Sequence, residues 1–165
     1  MRTLIAGMAL VMLALTAASV PAYATQKTEK KMGAEDPKIA VVERMIEAWN
    51  SQNWPLVGEL FTKDGVLHSM MIPPVVGREA ISERIIALGA GVSAIKLDIR
   101  NMGRVGDVIF VERVDRFTYK GHEGAVPVVG VIDVEGDKIK EWREYYDRAQ
   151  LLSEMGVKQD FHGAH

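Results

Sequence analysis

Cysteine is absent from the 165-residue sequence. No disulfide can form, so stability has to come from packing. The cysteine that anchors an exported bacterial lipoprotein is missing too. Charge of one sign is equally scarce: 20 basic residues stand against 22 acidic, a net charge of −2. That balance offers no footprint for nucleic acid or an anionic membrane. The longest apolar run is "LIAGMALVMLALTAA", behind Arg2, and it falls short of the ~20 residues a spanning helix needs. With the small-residue motif Ala22 to Ala24 it forms a secretory signal peptide. Residues 1–24 are read as a signal cleaved after Ala24, which directs the chain to the periplasm or the medium. Cleavage leaves 141 residues and a net charge of −3, enough for one domain with a real core. No membrane association is expected after cleavage.

Residues 25–36 are polar and read as a flexible leader. Asp36 and Pro37 then make a helix start. Ile39, Val42, Met45, Ile46 and Trp49 recur at three- and four-residue steps, which is one apolar helical face. Asn53 caps a second, short helix through "WPLVGELF". Asp64-Gly65 predicts a turn, "VLHSMMI" a short strand, and Pro73-Pro74 its end. "REAISERIIALG" predicts a third helix. Four alternating segments follow at 94–105, 107–119, 125–134 and 138–147, with glycine-bearing breaks that suit hairpins. "RAQLLSEM" closes the domain, which runs over 37–156. Residues 157–165 read as a disordered tail. Its His162 and His165 are too few ligands for a metal site. Helices set apart from a run of antiparallel strands give an α+β class. A strongly curved sheet wrapped over the helices makes a cone around one apolar cavity.

The segment "FVERVDRFTY" carries the chemistry. By alternation, Ile109, Val111, Arg113, Asp115, Phe117 and Tyr119 share one face. An ion pair among large apolar groups is expensive to desolvate, so burial for stability alone explains it poorly. The same Arg-x-Asp spacing also suits a salt bridge at a rim. In the last strand Trp142, Glu144 and Tyr146 share a face. If that face turns inward, Glu144 joins Arg113 and Asp115 in a carboxyl–guanidinium–carboxyl set. One carboxyl of such a set can hold a proton while the other accepts one. Ile46, Trp49, Leu67, Val126, Val128, Trp142 and Tyr146 are the expected pocket wall, or plain core. Ser69 can hydrogen-bond a water, and His68 should face away from it.

Three pieces, "IPPVVGREAI" at 72–81, "FVERVDRF" at 110–117 and "VVGVIDVEGDKIKEWREYYD" at 128–147, resemble the limonene-1,2-epoxide hydrolase family. That family is a branch of the SnoaL-like, nuclear-transport-factor-like folds. The resemblance runs over residues 38 to 155. It implies a six-stranded mixed sheet forming a cone with helices in its concave side, often as a homodimer. It also implies hydrolysis of a small apolar epoxide to a vicinal diol in one step, without a cofactor. By position Arg113 matches the bridging arginine and Asp115 the general acid. Glu144 stands where the family has an aspartate as general base, one methylene longer. Leu67 and Ser69 fall where the family has the tyrosine and asparagine that hold the water. The alternatives on this fold are a ketosteroid-isomerase-like or polyketide-cyclase-like enzyme, or an exported protein that binds a small apolar ligand.

Overall fold

The computed structural model describes residues 36–157. The expected signal, nearly all of the leader and the tail beyond 157 lie outside them. Helix α1 spans Pro37–Asn50, and Asp36 caps it by accepting a hydrogen bond from the Lys38 amide at 2.9 Å. Val42, Met45 and Ile46 on its inner face are buried. Helix α2 spans Trp54–Glu59, with the Asn53 side chain accepting from the Leu56 amide. Both caps follow the sequence: a short polar side chain satisfies a free amide just ahead of a proline in the first turn.

Strand β1 runs over Phe61–Ser69. The turn expected at Asp64-Gly65 is instead an irregularity inside this strand, where its pairing slips between Phe61 and Val66. A bulge absorbs the extra residues without ending the ladder. Strand β2, Val75–Val76, is a two-residue partner of β1, too short for any periodicity to announce. Helix α3 spans Arg78–Gly89.

Four long strands follow: β3 over Val92–Val105, β4 over Val108–Tyr119, β5 over His122–Glu135 and β6 over Lys138–Tyr146. They pair as an antiparallel meander. The β4–β5 connection is tighter than the glycine-rich stretch 121–124 predicted. Lys120 and Gly121 turn the chain at φ of 47° and 86°, so β5 already begins at His122. Two consecutive positive φ angles match the strand twist in a two-residue hairpin. Helix α4 spans Arg148–Glu154.

The six strands lie in the order β2-β1-β6-β5-β4-β3, with β1 parallel to β6. The sheet is curved, open and mixed, and the class is α+β. Its inner face meets α1, α2 and α3 in one core that includes Met45, Phe61, Ile81, Ile109, Ile132 and Ile139.

Candidate active site

Alternation along β4 turns Ile109 and Val111 into the core and carries Arg113, Asp115, Phe117 and Tyr119 along the same face into a cavity. Phe110, Glu112 and Arg116 point the other way and are exposed. On β6, Trp142, Glu144 and Tyr146 line the cavity, while Tyr145 faces out.

Arg113 is only 3 % exposed. Its fork grips Asp115 twice: Nε donates to Oδ1 at 2.7 Å and Nη2 to Oδ2 at 3.0 Å. Nη2 also donates to Oε1 of Glu144, which joins β4 chemically to β6. Strand β5 lies between those two strands, so their backbones are about 10 Å apart. The bridge crosses β5 at Gly130, the register partner of Glu144. A Cβ on Gly130 would stand 3.0 Å from Nη1 of Arg113 and 3.1 Å from the Trp142 ring nitrogen. The missing side chain is the passage through which the guanidinium reaches Glu144. A glycine inside a strand marks such close approaches, and that was the available sequence signal. The Trp142 ring, 2 % exposed, backs the guanidinium at 5.4 Å from ring centroid to Cζ. Cation and ring face attract in this geometry.

Burial opposes the charge on Arg113, but Asp115 and Glu144 outweigh it and hold the guanidinium protonated, above its ordinary range. Burial acts hardest on Glu144 and raises its pKa. Arg113 pulls it down, and the nearby charge of Asp115 raises it again. The net direction is up. Glu144 therefore holds a proton more tightly than an ordinary glutamate does.

Strand β1, the neighbour of β6 in the sheet, continues the wall. Its parallel register sets Ser69 beside Glu144 and Leu67 beside Trp142. The Tyr146 hydroxyl donates to Oγ of Ser69 at 3.0 Å. That leaves the Ser69 hydroxyl free to donate onward, next to the Glu144 carboxyl. The pairing of Tyr146 with Ser69 was not read from the sequence, since the parallel β1–β6 contact that creates it joins positions 77 residues apart. His68 is not on the cavity wall, as alternation requires.

The cavity measures about 190 Å³. Trp49, Leu67, Val126, Val128, Trp142 and Tyr146 line it, each a position picked out in the sequence. Ile46 does not. It sits one helical turn before Trp49 and packs into the core cluster, so it is core and not wall. Sequence periodicity could not separate the two, because one helical stripe serves both. Periodicity also missed the helical rim, where Ile85 and Leu88 of α3 and Leu151, Leu152 and Met155 of α4 and its C-cap face the cavity.

The family model of the SnoaL-like domain matches residues 42–142, most of the described chain. Three of the solved structures that share the fold show its range. A protein of ketosteroid isomerase-like fold from Catenulispora acidiphila, in complex with trimethylamine, aligns at 27 % identity and a TM-score of 0.64, over 71 % of this chain and 92 % of its own. An LEH-like epoxide hydrolase from M. tuberculosis aligns at 20 % identity and 0.64, over 72 % and 89 %. A putative SnoaL-like polyketide cyclase from Shewanella denitrificans aligns at 13 % and 0.65, over 72 % and 96 %. Proteins described in different functional terms thus share the architecture, and the activity has to be argued from the side chains.

Proposed function

The chain belongs to the SnoaL-like domain family, and from that premise we propose that it is a cofactor-free epoxide hydrolase acting on an apolar epoxide. One observation carries the reading: Arg113 ties Asp115 to Glu144 inside an apolar cavity. Epoxide hydrolysis needs a proton delivered to the ring oxygen and one removed from the attacking water. Two carboxyls joined by one guanidinium supply both, with the charge between them held constant.

Asp115 is the general acid in this reading, and Glu144 is the general base. Ser69, oriented by Tyr146, holds the water beside Glu144. A glutamate whose pKa is raised by burial accepts the water's proton more readily than an exposed one. Between turnovers Glu144 gives its proton to solvent and Asp115 takes one up, which restores the starting state. Apolar walls exclude bulk water and strengthen each of these contacts.

A second reading exchanges the two roles. It is favoured by the double grip of Arg113 on Asp115, which suits a carboxylate, and by the burial that raises the pKa of Glu144. Azide separates the readings, because it opens an epoxide without a general base. Terpene and styrene epoxides are offered to the wild type, Glu144→Gln and Asp115→Asn, with and without azide. Azido-alcohol formation restored in Glu144→Gln alone supports Glu144 as base, and restoration in Asp115→Asn alone supports the exchange. No diol from any epoxide with folded wild type contradicts the hydrolase, and an isomerised enone from a β,γ-unsaturated ketone then favours the isomerase-like alternative.

Export belongs to the same proposal. N-terminal sequencing of the secreted chain should begin at Thr25, and light scattering should report a homodimer.

A further inference from the structure

Three rungs of the β3–β4 ladder line the cavity: Leu97 pairs with Asp115, Ile95 with Phe117, and Val92 with Tyr119. The first rung carries the acid that Arg113 grips. The next two carry no charge. From Asp115 to Tyr119 this wall runs four residues of strand, about 13 Å. A cavity of about 190 Å³ drawn out over that length is slender. Arg84 and Arg148 border the cavity as well, but both already have partners, so neither calls for a charged ligand.

Helix α4 lies against the uncharged part of this ladder. Strand β5 has no β6 partner before Val128, and α4 takes the vacant side. Nε2 of Gln150 donates to the Ala125 carbonyl at 3.1 Å, and the Glu154 carboxylate accepts from the Ala125 amide. A Cβ on Gly124, the register partner of Phe117, would stand 2.6 Å from the Phe117 ring and 2.8 Å from Cβ of Glu154. Docked there, α4 presents Leu151 and Leu152 to the cavity. Val92, Ile95, Phe117, Leu151 and Leu152 are only half-buried, whereas Ile109 and Val111 on the same face of β4 are fully buried in the core. The chain leaves this apolar stretch uncovered, and an apolar occupant would gain in proportion to the area it covers.

We propose that the substrate is elongated: an unbranched apolar chain with its reactive ring at Asp115 and Glu144 and its tail laid along the Phe117 and Tyr119 rungs, beneath α4. A compact ring system would fill the space beside the acids and leave the outer rungs bare. The proposal rests on the hydrolase reading for the reactive ring alone. The tail follows from the wall.

Unreactive alcohols test the tail without catalysis. Butan-1-ol, hexan-1-ol, octan-1-ol and cyclooctanol are titrated by calorimetry into the full mature protein. Each added methylene of the straight alcohols should tighten binding by roughly 3-fold, and octan-1-ol should bind roughly 10-fold tighter than cyclooctanol, which has the same number of carbons. Val92→Phe narrows the tail end from the strand side, and Leu152→Trp narrows it from the helix side. Both should abolish the gain of octan-1-ol over hexan-1-ol and leave butan-1-ol as in the wild type. Circular dichroism checks that the variants fold. Cyclooctanol binding as tightly as octan-1-ol, an affinity that stops rising at butan-1-ol, or no binding of any of the four overturns the proposal. So does a length gain that both folded variants keep. Diol formation from compact epoxides without a length gain would leave the hydrolase standing and sink this proposal. A length gain without turnover of any epoxide would do the reverse.

Discussion

Two arginines leave β4 three residues apart and meet opposite fates. Arg113 turns inward, is 3 % exposed, and binds two carboxyls, with Asp115 at 2.7 Å. Arg116 turns outward, stays exposed, and has Asp98 at 3.7 Å. Strand, residue type and charge are the same, and only the face differs. On the outer face water does most of the solvation, and an ion pair of that length contributes about 0–1 kcal/mol. On the inner face the carboxyls and guanidinium solvate one another, and removing one strands the rest. The inner set is thus a weak stabilising device, which is why it reads as chemistry.

Removing each arginine in turn should give the widest contrast. Arg113→Ala is expected to lower unfolding free energy by about 3–5 kcal/mol and to abolish turnover. Arg116→Ala should shift stability by less than about 1 kcal/mol and leave turnover intact. Urea titrations and diol formation check both, and equal losses would break the comparison.

The acids should divide the same way. Asp115→Asn should reduce kcat/KM by roughly 10²–10⁴-fold and also lower the melting temperature, because buried Arg113 loses a partner charge. Asp98→Asn, on the outer face, should leave kcat/KM unchanged.

Gly130 sharpens the inner half. A valine there would push on Arg113 and Trp142 and displace the guanidinium from Glu144. A misplacement near 1 Å can lower the rate about 100-fold, and crowding should reduce stability by about 1–3 kcal/mol. A Cβ added to Gly103 of β3 would meet nothing within 4 Å, so Gly103→Val should spare the rate.

The smallest effect is one of pH. The native pKa of Glu144 lies above its ordinary value of 4.5, so the folded state binds more protons than the unfolded chain just above that pH. Stability contributed by the protonated group is present below 4.5 and declines as pH rises through the raised native value. Melting temperatures of wild type minus Glu144→Gln should therefore fall with rising pH. A flat difference would show that burial does not act on Glu144.

Much of this contrast is legible in the sequence alone. Period-two alternation assigns Arg113 and Asp115 to one face and Arg116 to the other, and it puts Trp142, Glu144 and Tyr146 together. Such patterns are written in each strand separately. What spans strands is harder to read. The passage at Gly130 depends on a register partner on the next strand, and the Tyr146–Ser69 bond on a parallel pairing of the first long strand with the last. The bulge near Gly65 disguises a strand as a turn, and β2 is too short to have a period. Ile46 and Trp49 share a helical stripe, and only packing decides that one is core and the other wall.

The most direct check on the proposed chemistry is a single turnover in ¹⁸O-labelled water, with enzyme in excess over an epoxide the protein accepts. Direct attack by a water held at Ser69 and activated by a carboxyl predicts one ¹⁸O in the diol of that first turnover and none in Asp115 or Glu144. Unlabelled first-turnover diol, with the label entering one of those carboxyls, would mean a covalent ester and would contradict the account.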